Sequence, residues 1–435
     1  MHKIIWLGSS FVINGLLSVL VISLLTRALI PQEYGLYSLT ISAAGLINSI
    51  FFQWIKIYTL RNIPDKNNIH RILFQSNILK FISFTFKNIV FIYFILLALS
   101  FFLVLDFEIP ILLVLFIGIL QGVYELVLSN ERAKDKIKNF SILSMSRAFI
   151  IAALCILSIN YIDKYFYFVF LVGLAYLLPI LYCCTKVSKK YFRIMYRKHT
   201  ENKIKIKDNL GIAVYPTISV ACVMGHYFLF RYSASELLVQ KDFGTLVAKF
   251  DILFLLFLTP FMMGSFLYQT DLVKGYQNEK FSNYFIKSFL ILQAVKFFLF
   301  LTFIVFSCFF KDVLIGSQFL DDRNDLLFII GLSFFVLGIK LNWVDHSYYL
   351  LRNYREQAIV SVTTLLIFIV TVLAFEYEDK SLIIALSFFV SCICSLGLSL
   401  FINRKFMAKY MMLKWLLLSV FIFISAFYIG FLLIP

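Results

Sequence analysis

Apolar stretches long enough to cross a bilayer fill almost the whole chain, and the connections between them alternate in charge. A spanning helix needs about 20 predominantly apolar residues. Thirteen such stretches are expected, at roughly 8–30, 34–58, 83–105, 109–129, 140–160, 165–185, 209–232, 243–268, 286–310, 326–350, 357–375, 381–402 and 413–434. Every second connection is basic. The 61–80 loop carries Arg61, Lys66, Arg71 and Lys80, and 130–139 carries Arg132, Lys134, Lys136 and Lys138. The 186–208 loop sets Lys186, Lys189, Lys190, Arg193, Arg197, Lys198, Lys203, Lys205 and Lys207 against Glu201 and Asp208. Lys274, Lys280 and Lys287 follow, then Arg352 and Arg355, then Arg404, Lys405, Lys409 and Lys414. The other set is acidic: Glu33; Asp106 and Glu108; Asp312, Asp321, Asp322 and Asp325; Glu376, Glu378 and Asp379. Cytoplasmic loops retain the Lys and Arg excess, which places the N-terminus inside.

Composition excludes the soluble classes. Residues are 61% hydrophobic and 15% charged, and a soluble core could not hide 51 Phe. Mean hydropathy is +0.89. A membrane β-barrel would show short segments of period-two alternation; these runs are continuous and helical. The net charge of +16 is accounted for by the inside loops and anionic lipid headgroups, so no nucleic-acid partner is expected. The first stretch reads as a spanning helix, because its apolar core exceeds a signal h-region and no A-x-A-like site follows. The cysteines Cys155, Cys183, Cys184, Cys222, Cys308, Cys392 and Cys394 all fall in apolar runs, without C-x-x-C or a metal-spaced His partner. No G-x-S-x-G, Walker A or dinucleotide turn occurs. A transporter is expected rather than an enzyme, with no cofactor and no metal.

The 186–208 loop divides the stretches six before and seven after. Six is even, so the second set starts on the same side as the first, as parallel repeats require. The outside turns agree: Gln32-Glu33-Tyr34-Gly35 follows the first stretch and Lys241-Asp242-Phe243-Gly244 the seventh, with Arg27 and Arg231 shortly before each. Pro179, Pro216 and Pro260 fall inside expected helices, where each leaves a carbonyl for a neighbour or cavity water to satisfy. The expected domains are a six-helix lobe at 1–185, a basic linker at 186–208, a second six-helix lobe at 209–402 and an additional helix at 413–434.

Several charges lie too deep for loops. Lys56, Lys87, Arg147, Lys249, Lys296 and Lys340 are deep cations; Glu125, Asp251 and Asp345 are the acids, with His226 and His346 beside them. A Lys or Arg at a helix centre costs roughly 2.5–3.5 kcal/mol on insertion scales, so such residues face a bundle interior or water. Lys56 and Lys87 lie shallow enough to snorkel, whereas Lys296 and Lys340 call for a cavity or an internal ion pair. Cations outnumber acids, which favours an anionic substrate. Lys249 and Asp251 stand two apart on one helix and point to different faces, so they are not each other's partners.

Thr26-Arg27-Ala28-Leu29-Ile30-Pro31-Gln32-Glu33-Tyr34-Gly35-Leu36-Tyr37, after a first helix containing Asn14, resembles the opening of Wzx-type O-antigen and capsule repeat-unit flippases of the multidrug/oligosaccharidyl-lipid/polysaccharide superfamily. Leu60-Arg61-Asn62-Ile63, Pro216 and the Phe243-Gly244 turn are similar to features of that family. The thirteenth helix departs from its usual twelve. The resemblance implies two six-helix lobes around a central cationic cavity in the bacterial inner membrane. It also implies alternating access, which would carry an undecaprenyl-diphosphate-linked oligosaccharide outward beside a polysaccharide polymerase and a chain-length regulator. Lys249, Lys340 and Arg61 are expected on the diphosphate, with Lys56 and Arg147 in support; Asp251 and Asp345 are the candidates for ion coupling. Two alternatives stand. A cation-coupled drug exporter of the same superfamily would need deep carboxylates in its first lobe, where only Glu125 occurs. An O-antigen polymerase-type membrane glycosyltransferase would need a large outside loop, and the longest here is about 311–325.

Overall fold

A computed structural model of the chain describes residues 2–62, 111–161, 164–186, 206–258, 315–319, 323–375 and 379–409. Their regular structure is entirely helical: α1 (His2–Ala28), α2 (Pro31–Phe51), α3 (Gln53–Asn62), α4 (Ile111–Ala133), α5 (Ile137–Ser158), α6 (Tyr165–Lys186), α7 (Ile206–Leu237), α8 (Gln240–Leu253), α9 (Asn324–Ile339), α10 (Asp345–Leu351), α11 (Tyr354–Ala374), α12 (Lys380–Ile402) and α13 (Arg404–Lys409). A π-helical segment, Phe254–Leu258, continues α8, and a second, Lys340–Val344, joins α9 to α10; Ser317–Phe319 forms a 3₁₀ turn. Among the described residues, seven helices are long and apolar enough to cross a membrane. Each falls on an expected span. The expected spans 83–105, 286–310 and 413–434, with Lys87, Lys296 and Pro260, lie outside the described residues.

The helix ends follow local chemistry. Pro31 opens α2, where its missing N–H would have had no intrahelical partner and its fixed φ suits the first turn. The carboxylate of Asp379 accepts from the Leu382 amide at 3.2 Å and caps α12. Arg352 closes α10 at φ 59°, and the Asn353 amide returns to the Tyr348 carbonyl. Pro179 lies inside α6 and Pro216 inside α7, as expected. The single span expected at 34–58 is a path broken at Phe52, yet the backbone ladder runs through, from the Phe52 amide to Asn48 and from the Lys56 amide to Phe52.

The residues gather into two compact units, Leu36–Phe228 and Met1–Gly35 with Leu229–Pro435. These units do not divide at the 186–208 linker. In Leu36–Phe228, Ala44, Val114, Ile117, Tyr124, Val169, Val172 and Tyr176 form one core cluster, and Phe52, Ile55 and Leu126 a second. Lipid tails are as apolar as Leu, so close packing must hold such a bundle, and small residues permit it. Gly122 on α4 lies directly under the Phe52 ring, where a Cβ would collide. Gly122→Val is therefore expected to cost about 1–3 kcal/mol by overpacking, read as a lower melting temperature in detergent; an unchanged melt would show that Phe52 swings clear. In the other unit Phe230, Phe250, Phe334 and Phe388 are fully buried and meet ring to ring, Phe230 stacked on Phe250 at 4.1 Å and Phe334 edge-on to Phe250 at 4.8 Å.

Candidate functional site

In Leu36–Phe228 the deep charges line up on α3, α4 and α5. Lys56 is buried and pairs with Glu125 of α4, with Asn48 Oδ1 3.4 Å from the same ammonium. Gln121, one turn before Glu125, donates to its other oxygen at 3.1 Å. Lys56 thus does not snorkel, because a carboxylate meets it inside the bundle. Arg147 of α5 is held differently. Its Nη1 donates to the Tyr176 hydroxyl at 3.3 Å, and its guanidinium lies 5.3 Å from the Tyr176 ring and 5.8 Å from the Tyr124 ring. Both tyrosines are buried. The Tyr124 hydroxyl donates to the Leu143 carbonyl, one helical turn before Arg147, which fixes α4 against α5 at that level. Among the described residues no carboxylate bonds Arg147; Glu125, already bonded to Lys56, acts on it only through space. The guanidinium is partly buried and presents a planar fork of N–H donors. Arg61 sits in the last turn of α3, and its side chain lies outside the described residues.

In the unit that begins with α1, the expected cations are engaged. Lys340 and Asp345 are both 1% exposed and pair at 3.0 Å across the π-helical segment, where the wider turn sets residues five apart side by side. Gln357 of α11 lies 3.5 Å from the same carboxylate oxygen. Lys249 is also 1% exposed, and its ammonium donates to the Arg323 carbonyl at 3.1 Å. The Asp251 carboxylate accepts from Arg231 at 2.5 Å and from the Tyr34 hydroxyl at 2.9 Å, so it faces away from Lys249, as the spacing requires. The Arg231 guanidinium also lies over the Phe250 ring at 4.7 Å.

Tyr34, in the first of the two similar turns, and Arg231, on α7 before the second, are not among the expected site residues. The signal available was the turns themselves, which meet in space. Gly35 lies under the Phe243 ring, Gly244 lies on the Pro31 carbonyl, and a Cβ at either would collide. Tyr124 and Tyr176 carry no sequence signal; they are two of 24 tyrosines.

No family model matches the chain, and no curated protein sequence matches it. Solved structures do match along nearly its whole length. The lipid II flippase MurJ in an inward closed conformation is 14% identical, with 98% of each chain covered and a TM-score of 0.60. The chain has the fold of MurJ. The inward-facing and outward-facing conformations of a multidrug resistance MATE family transporter of the MOP superfamily share it, each 11% identical over 94% of this chain and 96% of theirs, TM-score 0.59. With this fold and seven described helices apolar enough to cross a membrane, the chain is an all-α, multi-pass membrane protein. Within it, three of the five expected substrate cations are bonded to groups of the chain itself: Lys56 to Glu125, Lys340 to Asp345 and Lys249 to a backbone carbonyl. Arg147 is left with neutral partners.

Proposed function

We propose that the chain is a flippase that carries an undecaprenyl-diphosphate-linked oligosaccharide repeat unit from the inner to the outer leaflet of the bacterial inner membrane, by alternating access. In this reading the N-terminus is cytoplasmic, 1–185 and 209–402 are the two lobes joined by the 186–208 linker, and 413–434 is an additional span. The flipped unit passes to a polysaccharide polymerase and chain-length regulator. The fold shared with a lipid II flippase supports a lipid-linked cargo. The observation that carries the reading is Arg147, a guanidinium seated between two tyrosines and bonded to no carboxylate among the described residues. A diphosphate suits such a fork, because bidentate charge-assisted bonds need a planar pair of donors.

Arg147 therefore takes the leading place on the anion. Lys56 and Arg61 stand on α3, which packs on α4 as α5 does, and Lys249 and Lys340 reach the cargo only in a conformer that releases their present bonds. The pairing of Glu125 with Lys56 weighs against a cation-coupled exporter, which would need that carboxylate for its own cation.

A diphosphate moving out of a negative cytoplasm runs down the membrane potential, worth roughly 2.3 kcal/mol per elementary charge per 100 mV. No protonatable carboxylate is then required, and Asp251 and Asp345, the two that could couple a proton, are each bonded to a cation. The test is flipping in proteoliposomes with the potential and the pH gradient imposed separately. Transport driven by an inside-negative potential is expected. Transport that follows the pH gradient alone and is lost in Asp251→Asn overturns this energy source, and absence of lipid-linked oligosaccharide flipping under either gradient overturns the function.

A further inference from the structure

We propose that α10, α11 and α12 enclose a file of bound water that runs from the basic ends of α11 and α12 to the buried Lys340–Asp345 pair. Orphaned polar atoms gather there. Asp345 spends one carboxylate oxygen on Lys340, and its Oδ1 has no hydrogen-bond partner among the described residues. Gln357 Oε1, both ring nitrogens of His346 and Asn403 Oδ1 share that condition, in residues no more than 9% exposed. Buried polar groups are nearly always paired, so such a cluster marks a polar ligand.

The serines of α12 give a second, independent sign. A hydroxyl inside an apolar bundle can return to a carbonyl one turn back, as those of Ser333, Ser361, Thr364 and Ser391 do. Ser395 and Ser399 make no such bond, although they are 1% and 0% exposed. With Cys392 and Asn403 they fall on one face of α12, at spacings of three and four. That face meets the ion pair. The helix packs on the π-helical segment, and Cys392 lies within reach of the Lys340 charge. The Tyr348 hydroxyl, also unbonded, stands beside Ser399 and Asn403.

The chemistry selects water. A free anion would meet Asp345 and a free cation would meet Lys340, so a charged ligand is opposed from one side or the other. The open groups combine acceptor-only oxygens with hydroxyls and an imidazole that both give and take, and a small neutral donor and acceptor serves them all. Asn403 closes α12 and Gln357 lies in the first turn of α11. Around these ends Arg352, Arg355, Arg404 and Lys405 are exposed, and the loop charges set them inside. Water thus gains the pair from the cytoplasm. Resting on the proposed function, this water takes over the Asp345 carboxylate when Lys340 leaves it for the cargo's diphosphate.

Brief X-ray irradiation of the folded protein tests the file, because it makes hydroxyl radicals from water where the water stands. Tyr348 and Tyr34 form a matched pair, both 0% exposed, with the Tyr34 hydroxyl satisfied by Asp251. Oxygen addition, read by mass spectrometry of peptides, is expected about tenfold faster at Tyr348, where ordered water stands beside the ring. Ser399→Leu fills the file with an apolar side chain and should return Tyr348 to the Tyr34 rate, whereas Ser399→Ala keeps the space and the fast rate. Equal rates in the parent overturn the water file, and that comparison stands even when Ser399→Leu fails to fold. A fast Tyr348 left unchanged by a folded Ser399→Leu overturns the path along α12. For the mouth, Asn403→Cys in a chain freed of its seven cysteines should react with an impermeant thiosulfonate in inside-out vesicles. Reaction only in intact cells overturns the cytoplasmic opening. None of these readings uses transport, so failure here is distinct from failure of the proposed cargo.

Discussion

Replacing Arg147 with glutamate is expected to abolish surface polysaccharide while the protein still reaches the membrane at the parent level. A carboxylate there would face the anion directly, and it would stand near Glu125 as well. Arg147→Lys is the sharper variant. It keeps the charge but loses the planar fork and the stacking on Tyr124 and Tyr176. Hydrogen bonds to charged groups are worth about 1.5–3 kcal/mol, so flipping should fall by about tenfold to a hundredfold. Tyr176→Phe removes only the 3.3 Å bond that steadies the guanidinium and should cost a few-fold at most. The measurement is flipping per folded protein in proteoliposomes, with surface polysaccharide as the cellular readout. Wild-type polysaccharide in Arg147→Glu would remove Arg147 from the cargo path.

The second large effect falls on the Lys340–Asp345 pair. Asp345→Ala leaves a buried ammonium without its carboxylate, and breaking a buried pair in this way costs about 3–5 kcal/mol. Lys340→Glu is worse, because it sets two carboxylates against each other where both are 1% exposed. The double variant Lys340→Met, Asp345→Leu removes both charges and should regain most of the stability, since apolar replacement of a whole buried pair is often neutral. Thermal unfolding in detergent orders the three. Transport then assigns the role. A double variant that melts like the parent and flips like the parent makes the pair structural, whereas one that melts like the parent and does not flip places Lys340 on the cargo path.

Span positions are legible in the sequence because lipid forces about 20 apolar residues into each crossing. The seven long apolar helices among the described residues fall where hydropathy sets them. Side-chain partners are less legible, for reasons that differ by residue. Lys56 meets Glu125 from a helix 69 positions away, and no periodicity within one helix encodes such a pairing. Lys340 and Asp345 share a helix, but the rule for ordinary helices pairs residues three or four apart; only the π-helical turn brings the fifth into reach. Asp251 reads as a lone deep carboxylate because its partners, Arg231 and Tyr34, come from the neighbouring helix and from a turn 217 positions away. The divergence of Lys249 from Asp251 is legible, because two residues apart on a helix always means different faces.

The glycine contacts carry a consequence for how sequences of this kind can drift. Phe52 and Gly122 fill one volume between them, and so do Phe243 and Gly35. A larger side chain at either glycine has to be met by a smaller one at its aromatic partner. Relatives should therefore exchange bulk within each pair, keeping the sum nearly constant while the single positions vary. Gly244 and Gly316 should show no such trade, because each abuts main chain, and a peptide group has no side chain to give up.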